Sequence, residues 1–187
     1  MKILQVTPTY WPAVRYGGPI RSVRGLTAGL VKQGCKVEVF TTNVDGSGRI
    51  DAPRGRPVSL DGASIHYFPT GIGHRLYRSP EMASALRARI TEFDIVHIHA
   101  VYLWPGYAAA RIAVDAGVPY VVSPRGMLSP DLIAGKSSLR KRAWISLIER
   151  RTLAETAAIH VTSAIESEGI KELGLDLASI FEIPNGT

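Results

Sequence analysis

Two adjacent glycines near the start of the chain, Gly17 and Gly18, have the surroundings of an anion-binding turn. They lie between an apolar segment at residues 2–7 and an amphipathic segment that Pro19 opens and Gly34 closes. The first N–H groups of a helix have no partner within it, and the helix dipole is positive at that end, which favours a bound anion. Glycine has no Cβ, so a phosphate can approach the main chain closely. The alternative is a tight turn that binds nothing.

The segment D-I-V-H-I-H-A contains two histidines, His97 and His99, at alternate positions of a predicted strand. Alternate residues point to the same face of a strand. His99 is nearer the carboxyl end, where an imidazole can orient a ligand or polarise a hydroxyl group, and His97 is predicted to be a hydrogen-bonded core residue. The two rings could share a metal ion, but no carboxylate or cysteine stands at ligand spacing, so we expect no metal site. His66 and His160 lie within predicted strands and are expected to be structural.

Further candidates follow other predicted strands or crowd the first loop. Arg125, in the segment S-P-R-G-M, could hold a phosphate or carboxylate through two parallel hydrogen bonds, or it could be a surface arginine without a ligand. Glu166 could supply an acid or lie on a solvated helix face. The aromatic residues of the first loop could stack on a ligand or seal the loop onto the sheet: they are Tyr10, Trp11 and Tyr16.

The elements that would position these residues alternate along the chain. Apolar patterns predict strands at 2–7, 36–42, 63–68, 94–100, 120–123, 157–162 and 179–183. Helices are predicted from Pro19, at 80–93 after Ser79, at 103–116, at 136–156 and after Ser163. Residues 43–57 are predicted to be a loop, and 58–60 to pair with 63–68 across an Asp-Gly turn. This alternation predicts a mainly parallel sheet with helices on both faces, and such sheets bind ligands outside the carboxyl ends of the strands.

Length and composition indicate a single globular domain. The chain has 187 residues, of which 45% are hydrophobic and 20% charged. Its single cysteine, Cys35, excludes an intrachain disulfide and agrees with a reducing cytosol. We expect neither a secretory signal at the start nor a membrane-spanning stretch. The formal net charge of +6 favours an acidic partner, namely a nucleotide, a phosphorylated lipid, an anionic membrane or a nucleic acid. The basic residues are scattered and match no recognised motif, which argues against nucleic acid.

Three segments together carry a family resemblance. The first is the initial strand, the glycine pair and the helix that runs into G-C-K-V-E-V-F-T. The second is D-I-V-H-I-H-A, and the third is A-I-H-V-T-S-A-I-E-S-E-G, which continues to I-F-E-I-P-N-G. Their order and spacing resemble the N-terminal half of family-four glycosyltransferases, whose GT-B fold has two facing Rossmann-like domains. The segment V-V-S-P-R-G-M-L-S-P and the basic segment after it are similar to the branch that builds bacterial surface polysaccharides.

The resemblance implies a function for the whole chain. Residues 1–187 would form the acceptor-side Rossmann-like domain, one half of a GT-B fold without its donor-binding domain, and would be inactive alone. The full enzyme would be a hexosyltransferase that moves a sugar from a nucleotide-sugar donor to a glycan or lipid-linked acceptor, with retention of configuration. The nucleotide-sugar is then a co-substrate, and no cofactor or metal is expected in this domain. The protein would be cytoplasmic, or bound peripherally to the inner face of the plasma membrane.

The resemblance also implies roles for the candidate residues. Gly17 and Gly18 would lie near the donor diphosphate, and His99 would orient or polarise a reacting group. Many family members carry a histidine at the position of Arg125, so that histidine's role does not transfer directly. Residues implied to contact the acceptor or sugar are Tyr10, Trp11, Tyr16, Arg125 and Glu166. The basic helix predicted at 136–156 could lie on anionic lipid, or it could be packed on the core with a solvated basic edge.

Two other functions stay open at this point. A nucleotide-sugar epimerase shares the two-domain architecture, but its chemistry needs acid and base carboxylates in the crevice, and few are visible. A stand-alone module that binds a nucleotide or a lipid phosphate is expected only if the native chain ends at Thr187.

Overall fold

The computed structural model describes residues 1–15, 17–53, 55–72, 74–128, 144, 148–172, 174 and 177–185. The strands are β1 (Lys2–Thr7), β2 (Lys36–Thr42), β3 (Val44–Asp45), β4 (Gly48–Arg49), β5 (Val58–Leu60), β6 (Ala63–Phe68), β7 (Ile95–His99), β8 (Tyr120–Ser123), β9 (Ala158–Val161) and β10 (Ile180–Glu182). The helices are α1 (Gly18–Lys32), α2 (Pro80–Arg89), α3 (Trp104–Ala116), α4 (Arg150–Ala154) and α5 (Ala164–Lys171). Short 3₁₀ turns lie at His74–Leu76 and Ile90–Glu92.

The main sheet of the described residues has eight strands in the order β10-β9-β8-β7-β1-β2-β6-β5. Every neighbouring pair is parallel except β5 and β6, which form an antiparallel hairpin. The predicted mainly parallel α/β, Rossmann-like fold is therefore confirmed. Because parallel strands end at one edge, the turns after β1, β7, β8 and β9 share that edge.

Alternation along the strands divides the apolar residues between two faces. Leu4, Val6 and Ile98 belong to the larger core, together with apolar residues of α2 and α3. Val37 and Val39 belong to a second core on the other face, which α1 covers. The period-2 pattern explains this division, since successive side chains of a strand point to opposite faces.

Helices α2 and α5 begin directly after the predicted capping residues, Ser79 and Ser163. The hydroxyl of Ser79 accepts a hydrogen bond from the backbone N–H of Met82 at 3.3 Å, and Ser163 does the same for Glu166 at 3.3 Å. Each cap satisfies an N–H group that the helix itself leaves unpaired. The helix predicted at 80–93 ends earlier, at Arg89, where the 3₁₀ turn takes over.

Two predicted segments differ from the observed structure or lie beyond it. The loop predicted at 43–57 contains the short antiparallel pair β3–β4. Most of the helix predicted at 136–156 lies outside the described residues; within its described part, α4 buries Leu153 in the larger core. The sequence left two interpretations of that segment, contact with anionic lipid or packing on the core, and Leu153 follows the second. No helix in the described part of the chain combines the length and apolarity needed to cross a bilayer.

Candidate functional site

Polar side chains converge at the carboxyl edge of the sheet, beside α1. His99 and Ser123 pair in register at the ends of β7 and β8. Arg125 follows β8, and Asn185 follows β10. A cavity of about 650 Å³ separates the flank of α1, from Arg21 to Gln33, from Arg125, His160 and the segment after β10. Among its described lining residues two are arginines and none is acidic, so the cavity favours an anionic ligand.

A hydrogen-bonded chain runs across the strand ends. His97 Nε2 lies 2.7 Å from Ser123 Oγ, which lies 2.9 Å from His160 Nδ1. His160 Nε2 lies 3.0 Å from the carbonyl oxygen of Ile183, which can only accept. Burial lowers the pKa of His160, so the ring is neutral near pH 7 and its Nδ1 accepts from the serine hydroxyl. Ser123 in turn accepts from His97 Nε2–H, and the order of the protons is therefore determined throughout.

His99 is placed as a hydrogen-bond donor. Its side chain is 2% exposed, and its Nδ1 accepts from Arg125 Nη2 at 3.3 Å. Burial, aided by the neighbouring His97 and Arg125, holds the pKa of His99 well below its ordinary value. A neutral ring whose Nδ1 accepts must carry its proton on Nε2, and within the described part of the chain that buried N–H has no partner. The Nε2–H of His99 is therefore a buried donor, and the accepting nitrogen of the ring is already occupied by Arg125.

Arg125 is held between two side chains. Besides the contact with His99, its Nη1 donates to Asn185 Oδ1 at 2.8 Å. The residue is half-buried, and burial lowers its pKa, although an arginine remains charged in proteins. Arg125 thus lines the cavity as a fixed cation, an arrangement that suits a phosphate or carboxylate.

The backbone at this edge is unusual in three non-glycine residues. Ala100, Tyr102 and Arg125 have φ angles of 71°, 61° and 56°. The left-handed region is unfavourable for residues with a Cβ, by roughly 1–3 kcal/mol each, and such residues cluster at functional sites. They stand directly after β7 and β8, where the candidate side chains also lie.

Glu166 contacts the protein's own backbone. It is buried; its Oε1 accepts from the N–H of Gly126 at 2.5 Å, and its Oε2 accepts from the N–H and hydroxyl of Thr162 at 2.8 and 3.1 Å. Both oxygens are therefore engaged. The burial of Glu166 contradicts the solvated face offered as its alternative, and its contact with a sugar stays a prediction.

The glycine pair lies where the sequence predicts, at the start of α1. Gly17 is the N-cap residue with φ 66°, and no side chain of the described residues caps this helix. The N–H of Gly17 donates to the carbonyl of Val14 at 3.0 Å, so it serves the loop. The N–H groups of Gly18 and Ile20 precede the first intrahelical bond. A Cβ built on Gly17 or Gly18 meets no atom within 4 Å, and the main chain is open to a ligand here.

The aromatic residues of the first loop have separate environments. Tyr10 is 1% exposed and belongs to the core beneath α1, so it seals the loop onto the sheet and has no face for a sugar. Trp11 is half-buried, with the Arg24 guanidinium 4.7 Å from its ring centre and its carbonyl accepting from the Tyr67 hydroxyl. Tyr16 lies outside the described residues.

Sequence reasoning missed three residues of this edge. Ser123 links the histidines, and its only signal is a polar residue at the end of a buried strand. His160, expected to be structural, also lines the cavity. Glu149 is buried and accepts from Tyr102 N at 2.7 Å and from Trp144 Nε1 at 2.9 Å; burial raises its pKa. No local signal in the sequence distinguishes Glu149 as a buried carboxylate.

The described residues contain no group of three or more His, Cys, Asp or Glu side chains that could hold a metal ion.

Comparison with solved structures identifies the fold. The chain is similar to sucrose-phosphate synthase from Thermosynechococcus elongatus, with a TM-score of 0.68, 16% identity and coverage of 100% of this chain and 48% of that one. It is similar to Anabaena HepE in complex with UDP-glucose, with a TM-score of 0.61, 15% identity and coverage of 100% and 44%. The UDP-GlcNAc 2-epimerase from Methanocaldococcus jannaschii has a TM-score of 0.58, 12% identity and coverage of 99% and 46%. The chain thus spans about half the length of these structures.

Comparison by sequence identifies the family. No curated protein matches the chain. The family model for the glycosyl transferase 4-like domain matches residues 17–186, a range that includes the glycine pair, His99, Arg125 and Asn185. The chain therefore belongs to the glycosyl transferase 4-like domain family.

Proposed function

We propose that this chain is the acceptor-side domain of a retaining hexosyltransferase that moves a sugar from a nucleotide-sugar donor to a glycan or lipid-linked acceptor. The observation that carries the proposal is Arg125. His99 and Asn185 fix its side chain at a cavity whose described lining residues include no acidic side chain. Family membership supports the reaction class. The similarity to Anabaena HepE in complex with UDP-glucose supports a nucleotide-sugar donor.

The proposed chemistry is electrostatic. When the sugar leaves, negative charge develops on the nucleotide diphosphate, and donors already in place stabilise it without reorganising. Arg125 and the N–H groups at the start of α1 would supply that stabilisation. The buried N–H of His99 would donate to a sugar or acceptor oxygen and so orient it. No resident cofactor has a part in this scheme.

We propose that a second Rossmann-like domain completes the donor pocket, because the chain spans about half of the sucrose-phosphate synthase, HepE and epimerase chains described above. On this proposal the chain binds ligands but does not turn over alone. Steady-state sugar transfer by the isolated chain would contradict it.

The proposal extends to the acceptor and to the place where the protein acts. The basic residues of the 136–156 segment support contact with anionic lipid on the inner face of the plasma membrane and an acceptor of the surface-polysaccharide type. Vesicle sedimentation tests the contact. Binding that stays flat as the anionic lipid fraction is raised would remove this part and leave the transferase proposal intact.

The experiment for the central proposal is calorimetric titration of UDP into the chain and its Arg125→Ala variant. Loss of charge-assisted hydrogen bonds should weaken binding by at least about tenfold. Arg87→Ala is the matched control, because Arg87 is an exposed residue of α2 and loses the same charge. Equal affinities for the two variants would overturn the proposed anion site.

A second candidate is a nucleotide-sugar epimerase half, which the similarity to the Methanocaldococcus jannaschii enzyme favours. Against it, the buried carboxylates at this edge, Glu149 and Glu166, are engaged by N–H groups of the protein itself. Deuterium incorporation into a UDP-sugar in D₂O, by the chain supplied with its second domain, would favour the epimerase over the transferase.

A further inference from the structure

We infer that Glu166 is a positioning residue for Arg125: its carboxylate ties the turn after β8 to the turn after β9 and so sets where the guanidinium stands. The inference rests on the proposed function for the identity of the ligand. The role differs from that of a ligand contact, because Glu166 acts through the backbone on either side.

The contacts form a bridge between two turns. One carboxylate oxygen holds the N–H of Gly126, the residue next to Arg125. The other oxygen holds both the N–H and the hydroxyl of Thr162, just before α5. The backbone N–H of Glu166 also donates to the hydroxyl oxygen of Ser163. Both the main chain and the side chain of Glu166 therefore hold the start of α5.

The bridge acts where the backbone needs support. Arg125 has φ 56° and Gly126 has φ 78°, two successive left-handed residues of which the first carries a Cβ. An unfavourable conformation persists only when its surroundings impose it. A buried, charge-assisted hydrogen bond to the next N–H is such a restraint. With the backbone held, the arginine side chain reaches both His99 and Asn185.

Glutamine cannot replace this carboxylate. Both oxygens of the Glu166 carboxylate accept hydrogen bonds, and each contact that the described residues make with them comes from an N–H or O–H group. An amide would turn an NH₂ group toward one of those donors. Aspartate keeps two acceptors and the charge, but it is shorter by one methylene and should retain part of the effect.

The first measurement needs no ligand. Because Arg125 Nε is buried, its Hε proton should exchange slowly and give a distinct NMR resonance. We expect Glu166→Gln to shift or broaden that resonance and Glu166→Asp to do so less. Glu168→Gln, which removes the same charge from an exposed position of α5, should leave it unchanged. An unaltered Arg125 resonance in Glu166→Gln overturns the inference.

The second measurement is inorganic pyrophosphate affinity. Glu166→Gln should weaken binding by about tenfold, and Glu166→Asp by less. In an Arg125→Ala background Glu166→Gln should cause no further loss, and an equal loss there overturns the inference, because Glu166 would then act independently of Arg125. If Glu166→Gln does not fold, as judged by circular dichroism, Glu166→Asp decides by the same criteria. An NMR response without any pyrophosphate binding by the wild type upholds the positioning role and overturns the proposed anion site.

Discussion

Arg125 holds the side chain of Asn185, sixty positions further along the chain, through a 2.8 Å hydrogen bond from Nη1 to Oδ1. The bond joins the turn after β8 to the segment after β10, and both residues line the cavity. A neutral amide is suited to this place, because it fixes the guanidinium without cancelling its charge. The pair thus leaves a cation available to a ligand.

Replacing that amide by a carboxylate should therefore weaken ligand binding. Asn185→Asp places a negative charge against Arg125 and should raise the dissociation constant for UDP by at least about tenfold, through pairing with the cation and repulsion of the phosphates. Asn185→Ala is the control, since it removes the hydrogen bond and adds no charge. Calorimetric titration at low salt measures both. Equal effects of the two variants would contradict a role for the charge of Arg125.

The buried histidines should make the fold sensitive to mild acid. Burial lowers the pKa of His97 to about 3, whereas in the unfolded chain the ordinary value is 6.5. The unfolded state therefore takes up the proton first, and stability is lost as the pH falls below about 6.5, at about 1.4 kcal/mol per pH unit for each such histidine. Urea denaturation between about pH 7.5 and 5.5 covers the start of this window before most carboxylates titrate.

The matching variant is His97→Gln, which keeps an N–H donor for Ser123 and cannot take up a proton. Over the same pH interval its free energy of unfolding should fall less than that of the wild type. The difference is the contribution of one histidine. If the free energy of unfolding of His97→Gln depends on pH as in the wild type, His97 does not contribute to the sensitivity of the fold to acid.

Leu153 separates the two interpretations of the basic segment. It is fully buried in the larger core, so Leu153→Ala should lower the free energy of unfolding by about 2–5 kcal/mol. Leu76→Ala, at a residue that is 45% exposed, is the control and should have little effect. Urea denaturation measures both. A neutral Leu153→Ala would mean that this side chain is available for another surface, such as lipid.

Several elements could be predicted because their signals are local. The alternation of Val37 and Val39 with polar residues defines β2, and Ser79 and Ser163 mark the helices that they cap. The Asp61–Gly62 turn predicts the β5–β6 hairpin. In each case the residues that determine the structure are within a few positions of one another.

The amino-acid sequence by itself determined the alternating elements, the mainly parallel sheet, the family and the edge at which His99 and Arg125 lie. Tertiary structure alone decided that Tyr10 is core, that Ser123 links His97 to His160, and that Glu166 holds Gly126 forty positions away. The reason is physical. Periodicity and capping depend on neighbours in the chain, whereas the partner of a buried polar group depends on which strands lie side by side, and the chain order does not state that.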